Sequence, residues 1–595
     1  MAGDPRREYS RRIERWNGEI VRGDRASLRL SNSRLIVAAV LAVLGWQAFV
    51  SDRVSAIWPV VVLGAFGVLV ILHARVLNRI DEARRARQLY ERGMARLDFK
   101  WAGTGPDGAS FLEGHPFARD LDLFGPASLF QLLTTARTEV GEETLASWLA
   151  SGAPSGEVVS RQAAVDELKP KVDFREDLAV LAAGTPVGKT GAVAMWAAST
   201  PVGLSRAHAL LFGICGLVSV VVTGLVLTER ISPTFLIAWI VMQSIIAMFF
   251  AARVETVLSR IDSAEHALGL MAALLGRIER EQFASARLVE SQRMLLTEGV
   301  PPSRRIAQLR RLVAFVDDAS RNLLLRPLGA LLLLRGQAAV WIDRWHARNG
   351  RAIIEWLRVV GDLEALAALA TYAYEHPGDP FPKLIDAGPL VAASCLGHPL
   401  IDERTGVRND VRLGSPHPSA LIVSGSNMSG KSTLLRAVGV NVVLALAGAP
   451  VRATEMTLSW LSIGATIRVD DSLQEGHSRF YTEILRIRTI VELARERRLV
   501  LFLLDEILGG TNSHDRRIGA EAILVALVEA GAIGLITTHD LALTELAARL
   551  PSRVENVHFE DRIEDGAIVF DYRMRPGVVE RSNAVALMRA VGLDV

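Results

Sequence analysis

Apolar and polar residues are distributed along this chain in three distinct patterns. Four uncharged apolar runs approach membrane length: Leu35 to Val50, Ile57 to Leu72, Ala209 to Leu227 and Thr234 to Ala252. They come as two pairs, the first joined by the short polar turn Ser51-Asp52-Arg53 and the second by Thr228 to Pro233. A spanning helix needs about 20 apolar residues, which the second pair approaches and the first falls slightly short of. The second pattern is a three-to-four spacing, as in Val257, Ile261, Leu268, Met271 and Leu275, which predicts amphipathic helices with one packing face from about Leu168 to Gly397. The third consists of short unbroken apolar runs after residue 400: Ala420 to Val423, Leu499 to Leu504 and Ile533 to Ile536. Runs of this length suit strands buried on both faces of a parallel sheet.

Charge placement orients the apolar pairs. Arg22, Arg25, Arg29 and Arg34 precede the first run, Arg75, Arg79, Arg84, Arg85 and Arg87 follow the second, and Arg206 and Arg253 flank the later pair. Positive flanks stay cytoplasmic, so both hairpins are expected to cross and return, leaving the termini inside. The charged segment before the first run exceeds a signal-peptide n-region and carries no evident cleavage site, which reads as an uncleaved anchor. A composition of 50% hydrophobic residues with positive mean hydropathy agrees. The net charge of +2 argues neither for nor against nucleic acid as a partner of the whole chain. The spans carry no ionisable residue, which argues against a transporter. Two cysteines, Cys215 and Cys395, imply no disulfide framework. Leu323 to Leu334 is apolar but interrupted by Arg326 and Pro327, and reads as a buried helix pair rather than a fifth span.

The chemistry lies at the ends of the short apolar runs. The first is followed by Gly425-Ser426-Asn427-Met428-Ser429-Gly430-Lys431-Ser432-Thr433, and then by a helical pattern from Leu434. This spacing is that of a P-loop, whose backbone N–H groups and helix N-terminus surround a phosphate. Lys431 is placed to reach the β- and γ-phosphates and Ser432 to hold Mg²⁺. The second run ends in Asp505-Glu506, a Walker B pattern, with Asp505 toward Mg²⁺ and Glu506 polarising the attacking water. The third delivers Thr538-His539-Asp540, and His539 is a candidate γ-phosphate sensor. All three lie at predicted C-terminal strand ends, where open α/β sheets bind ligands. ATP and Mg²⁺ are the expected cofactors, and ATP hydrolysis the expected activity.

At these residues the chain resembles the MutS family of DNA mismatch-repair ATPases, a branch of the ABC-type P-loop proteins. The resemblance takes in Asn427 to Thr433, Asp505-Glu506-Ile507 with Gly510-Thr511-Asn512, and Thr538-His539-Asp540. It also takes in Ser478-Arg479-Phe480 with Glu483, His398-Pro399, Asn409-Asp410, Tyr572 to Gly577 and Ser582-Asn583-Ala584. It implies that Asn427 contacts the γ-phosphate, that Ser478 completes the site of a second subunit, and that the protein is a homodimer. Upstream, Leu121 to Gly125 through Thr138, Gly141 and Leu149, and then Arg161 to Leu168, resemble the start of the family's helical core, the lever that couples nucleotide state to DNA.

The implied fold is multidomain: an α/β P-loop (ABC-type) ATPase domain at the C-terminus, an all-α core and lever domain, and four transmembrane helices in two hairpins. Residues 1–34 form a basic arm with nine arginines against five carboxylates, read either as a contact for anionic lipid or as a solvated helix face. Residues 35–75 form the first hairpin and 76–118 a helix and Gly-Pro-rich linker. Residues 119–390 form the core with the second hairpin at 209–252, and 391–595 the ATPase. With the core starting near residue 120 there is no room for amino-terminal mismatch-reading domains. Phe111-Leu112-Glu113 has the family's Phe-x-Glu wedge spelling but lacks a domain around it, so direct mismatch reading is not expected. Two functions remain open: a membrane-anchored, ATP-dependent DNA-binding or damage-sensing enzyme, with Arg304, Arg305, Arg310 and Arg311 toward phosphate, or a membrane ATPase switch acting on an unknown protein or a lipid partner.

Overall fold

The computed structural model describes residues 4–184, 190–296, 299–321, 326–426, 428–468, 479–496, 499–564 and 567–579. A helical amino-terminal region is followed by a carboxy-terminal α/β domain.

The chain opens with a single helix, Pro5–Phe49, capped by the Asp4 side chain on the Arg6 N–H. It returns as Ile57–Leu97. At about 1.5 Å per residue each is more than 60 Å long, and the two halves of this hairpin differ in kind. The distal, apolar half exposes its side chains, with Leu35, Trp46, Ile57 and Val60 each about two-thirds exposed. Core helices would bury such residues, so the apolar runs are not core elements. The basic half packs: Tyr9, Tyr90 and Tyr374 form one cluster and Ile20, Ile80 and Ala83 another. A side chain at Gly93 would meet the Tyr9 ring at 2.6 Å, which is why the helices approach so closely there. The basic arm is therefore neither wholly solvated nor wholly available to lipid.

A second pair, Arg206–Leu227 and Pro233–Arg280, likewise exposes its apolar surface. Within it Trp239 Nε1 donates to Ser219 Oγ at 2.8 Å, and Ser219 Oγ donates to Gln243 Oε1 at 2.5 Å. These four long helices are apolar enough to cross a membrane by length and composition. The second helix of this pair continues inward, and there Val257, Ile261, Leu268, Met271 and Leu275 are all buried, as their spacing predicts. They pack near the central helix Leu334–Glu375, most of whose residues are buried from Ala338 on. The segment expected to be a buried helix pair differs. Its described part is a short helix, Arg326–Leu331, with no buried residue, and Leu333 adopts a left-handed conformation at φ 51° before the central helix starts.

The α/β domain has strands β1 (Lys383–Ile385), β2 (Val391–Leu396), β3 (Asn409–Leu413), β4 (Ala420–Ser424), β5 (Glu455–Ser459), β6 (Ser462–Thr466), β7 (Val500–Asp505), β8 (Ile533–Thr538), β9 (Val554–Glu564) and β10 (Ala567–Pro576). They form a four-stranded sheet ordered β1-β5-β2-β3 and a six-stranded sheet ordered β10-β9-β4-β8-β7-β6. In the larger sheet β9, β4, β8, β7 and β6 run parallel and β10 is antiparallel to β9. The three unbroken apolar runs are its central strands β4, β7 and β8, buried from end to end apart from Asp505. The helix Lys431–Ala447 lies on this sheet and against the helical region. At Gly439 it meets Leu121 and Leu503 so closely that no side chain fits. Buried Asp120 accepts the backbone N–H groups of Ile467 and Arg468, both at 2.7 Å, tying the start of the helical region to the sheet.

Candidate active site

Parallel strands bring the sequence-predicted residues to one edge. β4 ends at Ser424, β7 at Asp505 and β8 at Thr538, in register through Ser424–Thr538 and Asp505–Thr537. The loop after β4 turns on Gly425 and Gly430, with φ of 148° and 105°. Gly430 caps the helix that begins at Lys431, and a side chain there would press on the Tyr572 ring at 3.2 Å. The loop N–H groups and the helix N-terminus thus face the same space, an arrangement that favours an anion.

Lys431 is 4% exposed, and its Nζ donates to the carbonyls of Gly425 and Ser426, both at 2.8 Å. It also lies 3.3 Å from Glu506 Oε1. The other carboxylate oxygen of Glu506 is 3.5 Å from His539 Nδ1. On the far side His539 Nε2 is 3.3 Å from Arg516 Nη1, so the imidazole accepts there and presents its N–H to Glu506. Asp505 is held by Thr537, whose hydroxyl donates to Oδ1 at 2.5 Å, and the same Thr537 oxygen accepts the Glu506 N–H at 3.0 Å. Asp505 lines the cleft with its Oδ1 so engaged. Glu506 itself sits at φ 44°, an uncommon backbone state for a non-glycine residue and one that clusters at functional sites.

The space these groups share is a cleft of about 980 Å³, lined by Ser426, Met428, Gly430, Lys431, Ser432 and Thr433 on one side and by Asp505, Glu506 and His539 on the other. Leu396, Ile401, Val407 and Tyr572 add apolar lining. His398 also lines the cleft, and burial with Arg436 nearby pushes its imidazole down to about 4, so it is neutral at physiological pH. Ser426 Oγ is buried with no hydrogen-bond partner, a polar group pointing to a ligand. A nucleotide fits this set: a loop turning on two glycines, a buried lysine, a hydroxyl and a carboxylate for one cation, and apolar lining beside them. Among the described residues no three His, Cys, Asp or Glu side chains converge as a metal cage. A cation held by one hydroxyl and one carboxylate would not need one, since a bound phosphate would supply the remaining oxygens.

Two of the sequence candidates, Asn427 and Ser478, lie outside the described residues, as does Ser582-Asn583-Ala584. Glu483 is buried and accepts the Leu508 N–H at 2.8 Å, bracing the turn after β7. Thr537, Arg516 and Tyr572 were not assigned roles from the sequence. Thr537 was recoverable as the residue facing Asp505 across adjacent parallel strands. Arg516 was not, because its guanidinium gathers the carbonyls of Leu508, Gly509 and Thr511 only once the turn is formed. Phe111 is packed inward, 5.9 Å from the Phe124 ring and 5.7 Å from the Phe130 ring. Of the four arginines considered for phosphate, Arg305 donates to Asn349 Oδ1 at 2.8 Å, and Arg304, Arg310 and Arg311 are exposed.

Comparison with known proteins places this domain. Residues 421–594 match the family model for MutS domain V. The chain is 34% identical over 269 residues to the DNA mismatch repair protein MutS of Thermus thermophilus, covering 45% of this chain and 32% of that protein. It is 34% identical over 245 residues to MutS of Natronomonas pharaonis, covering 40% of this chain and 28% of that protein. It is 32% identical over 240 residues to "DNA mismatch repair protein MutS 2" of Halobacterium salinarum, covering 40% of this chain and 27% of that protein. The chain thus spans about a third of the length of these relatives, and the MutS relationship is one of its carboxy-terminal part.

Proposed function

We propose that this protein is a membrane-anchored, MutS-related ATPase that couples ATP binding and hydrolysis to DNA. The observation that carries the reading is the convergence of Lys431, Ser432, Asp505, Glu506 and His539 on one cleft at the C-terminal edge of the parallel sheet. In this reading Gly425 to Thr433 bind the nucleotide, and Ser432 with Asp505 holds Mg²⁺. Bound Mg²⁺ would neutralise charge on the transferred phosphoryl group. Lys431 leaves its loop carbonyls for phosphate oxygens, which frees Glu506 to order and polarise water. His539, oriented by Arg516, faces the same position as γ-phosphate sensor. Asn427 reaches the γ-phosphate, and Ser478 completes the site of a second copy, so ATP closes a homodimer and hydrolysis releases it.

The remaining assignments rest on the exposed apolar helices. Both hairpins would span the bilayer, with the termini and the ATPase on the cytoplasmic side where the arginines lie. The proposed domains are the arm at 1–34, hairpins at 35–75 and 209–252, a helix and linker at 76–118, the core at 119–390 and the ATPase at 391–595. A second reading, a membrane ATPase switch acting on a protein or lipid partner without DNA, is favoured by the inward packing of Phe111 and by the engagement of Arg305 with Asn349.

The deciding experiment is ATP hydrolysis by the detergent-solubilised full chain with and without homoduplex, mismatched and branched DNA, using Lys431→Ala and Glu506→Gln as controls. Stimulation by DNA that fades at high salt supports the DNA-linked function. Turnover that is lost in both variants but indifferent to every DNA overturns it in favour of the switch. Turnover unaffected by Lys431→Ala overturns the ATPase assignment itself.

A further inference from the structure

A second large cleft lies far from the nucleotide site, between the second apolar hairpin and the segment that leads into the central helix. Its volume is about 650 Å³, within the range of small-molecule sites. Phe212, Ala247, Phe250 and Val254 give it an apolar wall. Within it Gln243 donates from Nε2 to the carbonyls of Ala330 and Leu331, at 3.2 and 2.8 Å, and accepts from Ser219. Its amide is therefore satisfied and makes no demand for a polar ligand. The lining also carries charge. Glu255, Arg326 and Arg335 belong to it; Arg335 pairs with Glu255 at 3.0 Å, while Arg326 has no ion pair among the described residues. Two guanidinium groups against one carboxylate leave the charged part of the lining positive.

The polarity gradient has a direction. From Gln243 to Glu255 is twelve residues of one helix, about 18 Å, and along it the sequence passes from the apolar run ending at Ala252 to the charged Arg253 and Glu255. The outer surface beside the cleft is apolar, with Phe249 80% exposed next to the lining residue Phe250. Resting on the membrane reading given above, we infer that this cleft holds an anionic phospholipid from the bilayer: its acyl chain lies along Phe212, Phe250 and Val254, and its phosphate sits at Arg326 and Arg335. A soluble anion would leave the apolar wall unused, and a neutral lipid would leave the surplus charge unmatched. The occupied position is where the short helix Arg326–Leu331, with its exposed Leu328, meets the central helix that ends at Glu375.

The test uses the full chain reconstituted in phosphatidylcholine vesicles containing a minor fraction of phosphatidylglycerol, extracted into mild detergent and weighed by native mass spectrometry. One phosphatidylglycerol retained per chain is expected. Charge reversal by Arg326→Glu with Arg335→Glu lowers retention roughly tenfold or more, and Ala247→Trp lowers it by filling the apolar wall while leaving both arginines in place. Equal retention of the two lipids, or retention insensitive to both variants, overturns the site in favour of ordinary surrounding lipid. Displacement by inorganic phosphate overturns it in favour of a simple anion site. Alkaline carbonate extraction separates this failure from failure of the membrane reading: a chain released from membranes by carbonate is not anchored, whereas one that stays but retains no lipid lacks only the site.

Discussion

Glu364 makes a pH dependence of folding calculable. It lies on the central helix, is 2% exposed, and accepts the Arg137 N–H at 3.0 Å and the hydroxyl of Thr138, the residue that caps the helix Glu139–Ala150. Burial raises its carboxyl most, the hydrogen bonds from Thr138 and Arg137 oppose that, and the nearby Glu142 raises it further; the result is a rise from 4.5 to about 7. Below pH 4.5 both folded and unfolded chains hold the proton and nothing is lost. Between about 4.5 and 7 the unfolded chain ionises while the folded one keeps its proton, so stability falls as pH rises, and above 7 the loss levels off. At ~1.4 kcal/mol per pH unit this gap amounts to about 3 kcal/mol.

Glu364→Gln keeps an acceptor oxygen in the same place and removes the charge. The expected outcome is a variant whose unfolding midpoint exceeds that of the wild type only slightly at pH 5 and by much more at pH 8. The measurement is denaturant unfolding of the solubilised full chain at pH 5, 6, 7 and 8, followed by tryptophan fluorescence with Trp356 on the same helix as a buried reporter. The difference between variant and wild type isolates Glu364 from every other titrating group. A difference that stays constant across this range refutes the assignment of a buried, protonated carboxyl.

Other expectations follow from the packing. Arg96 holds Glu375 with two bonds of 2.6 and 2.7 Å, both side chains largely buried, so Arg96→Ala is expected to cost about 3–5 kcal/mol. Arg6→Ala, which breaks an exposed pair with Asp98, is expected to cost less than about 1 kcal/mol in the same unfolding assay. Gly534 on β8 meets the Phe502 backbone so closely that Gly534→Ala forces β7 and β8 apart, with a loss of at least about 1–3 kcal/mol and reduced ATP affinity by fluorescent-nucleotide titration. Phe111→Ala is expected to lower stability by up to about 3 kcal/mol. It should leave any difference between mismatched and homoduplex DNA binding unchanged, as measured by fluorescence anisotropy.

How much of this was legible in the sequence depends on the kind of residue involved. β4, β7 and β8 were readable because strands buried on both faces admit only apolar residues, and the loops that follow them carry fixed spacings. The four-stranded sheet was not. β1 has only three residues, β3 alternates polar and apolar, and β2 owes its place to pairing with β5, more than 60 residues away. The basic arm was legible as a charged helix face but not as a packed one. Arg12 is 7% exposed, and its partners Glu176 and Asp173, at 2.5 and 2.6 Å, are more than 160 residues distant. A buried arginine is spelled like an exposed one, and only its distant carboxylates tell them apart. The buried helix pair expected at Leu323 to Leu334 differs for the converse reason, its described helix Arg326–Leu331 having no buried residue. Apolar composition cannot distinguish a protein interior from an exposed apolar surface.

The arm's packing also bears on how the α/β domain communicates with the apolar hairpins. The carboxylate of Glu375 accepts from Tyr9 and Arg96, one on each helix of the first hairpin. One residue later the chain leaves the central helix at His376, and Asp379 pairs with Arg452 at 3.1 Å in the α/β domain. The Arg452 backbone N–H in turn donates to Asn441, which lies on the helix that begins at Lys431. Buried polar contacts at Glu375 and at Asp379, joined by the short stretch of backbone between them, therefore connect the base of the first hairpin to the helix that begins at Lys431. The polar links cannot open without leaving a buried charge or amide unsatisfied, so rotation of that helix relative to the sheet would have to move the hairpin, bend the connecting backbone or break a link. A double-mutant cycle of Arg96→Met and Asn441→Leu, scored on ATP affinity, measures which occurs. Coupling above about 0.5 kcal/mol indicates that the elements move together, and strict additivity refutes the connection.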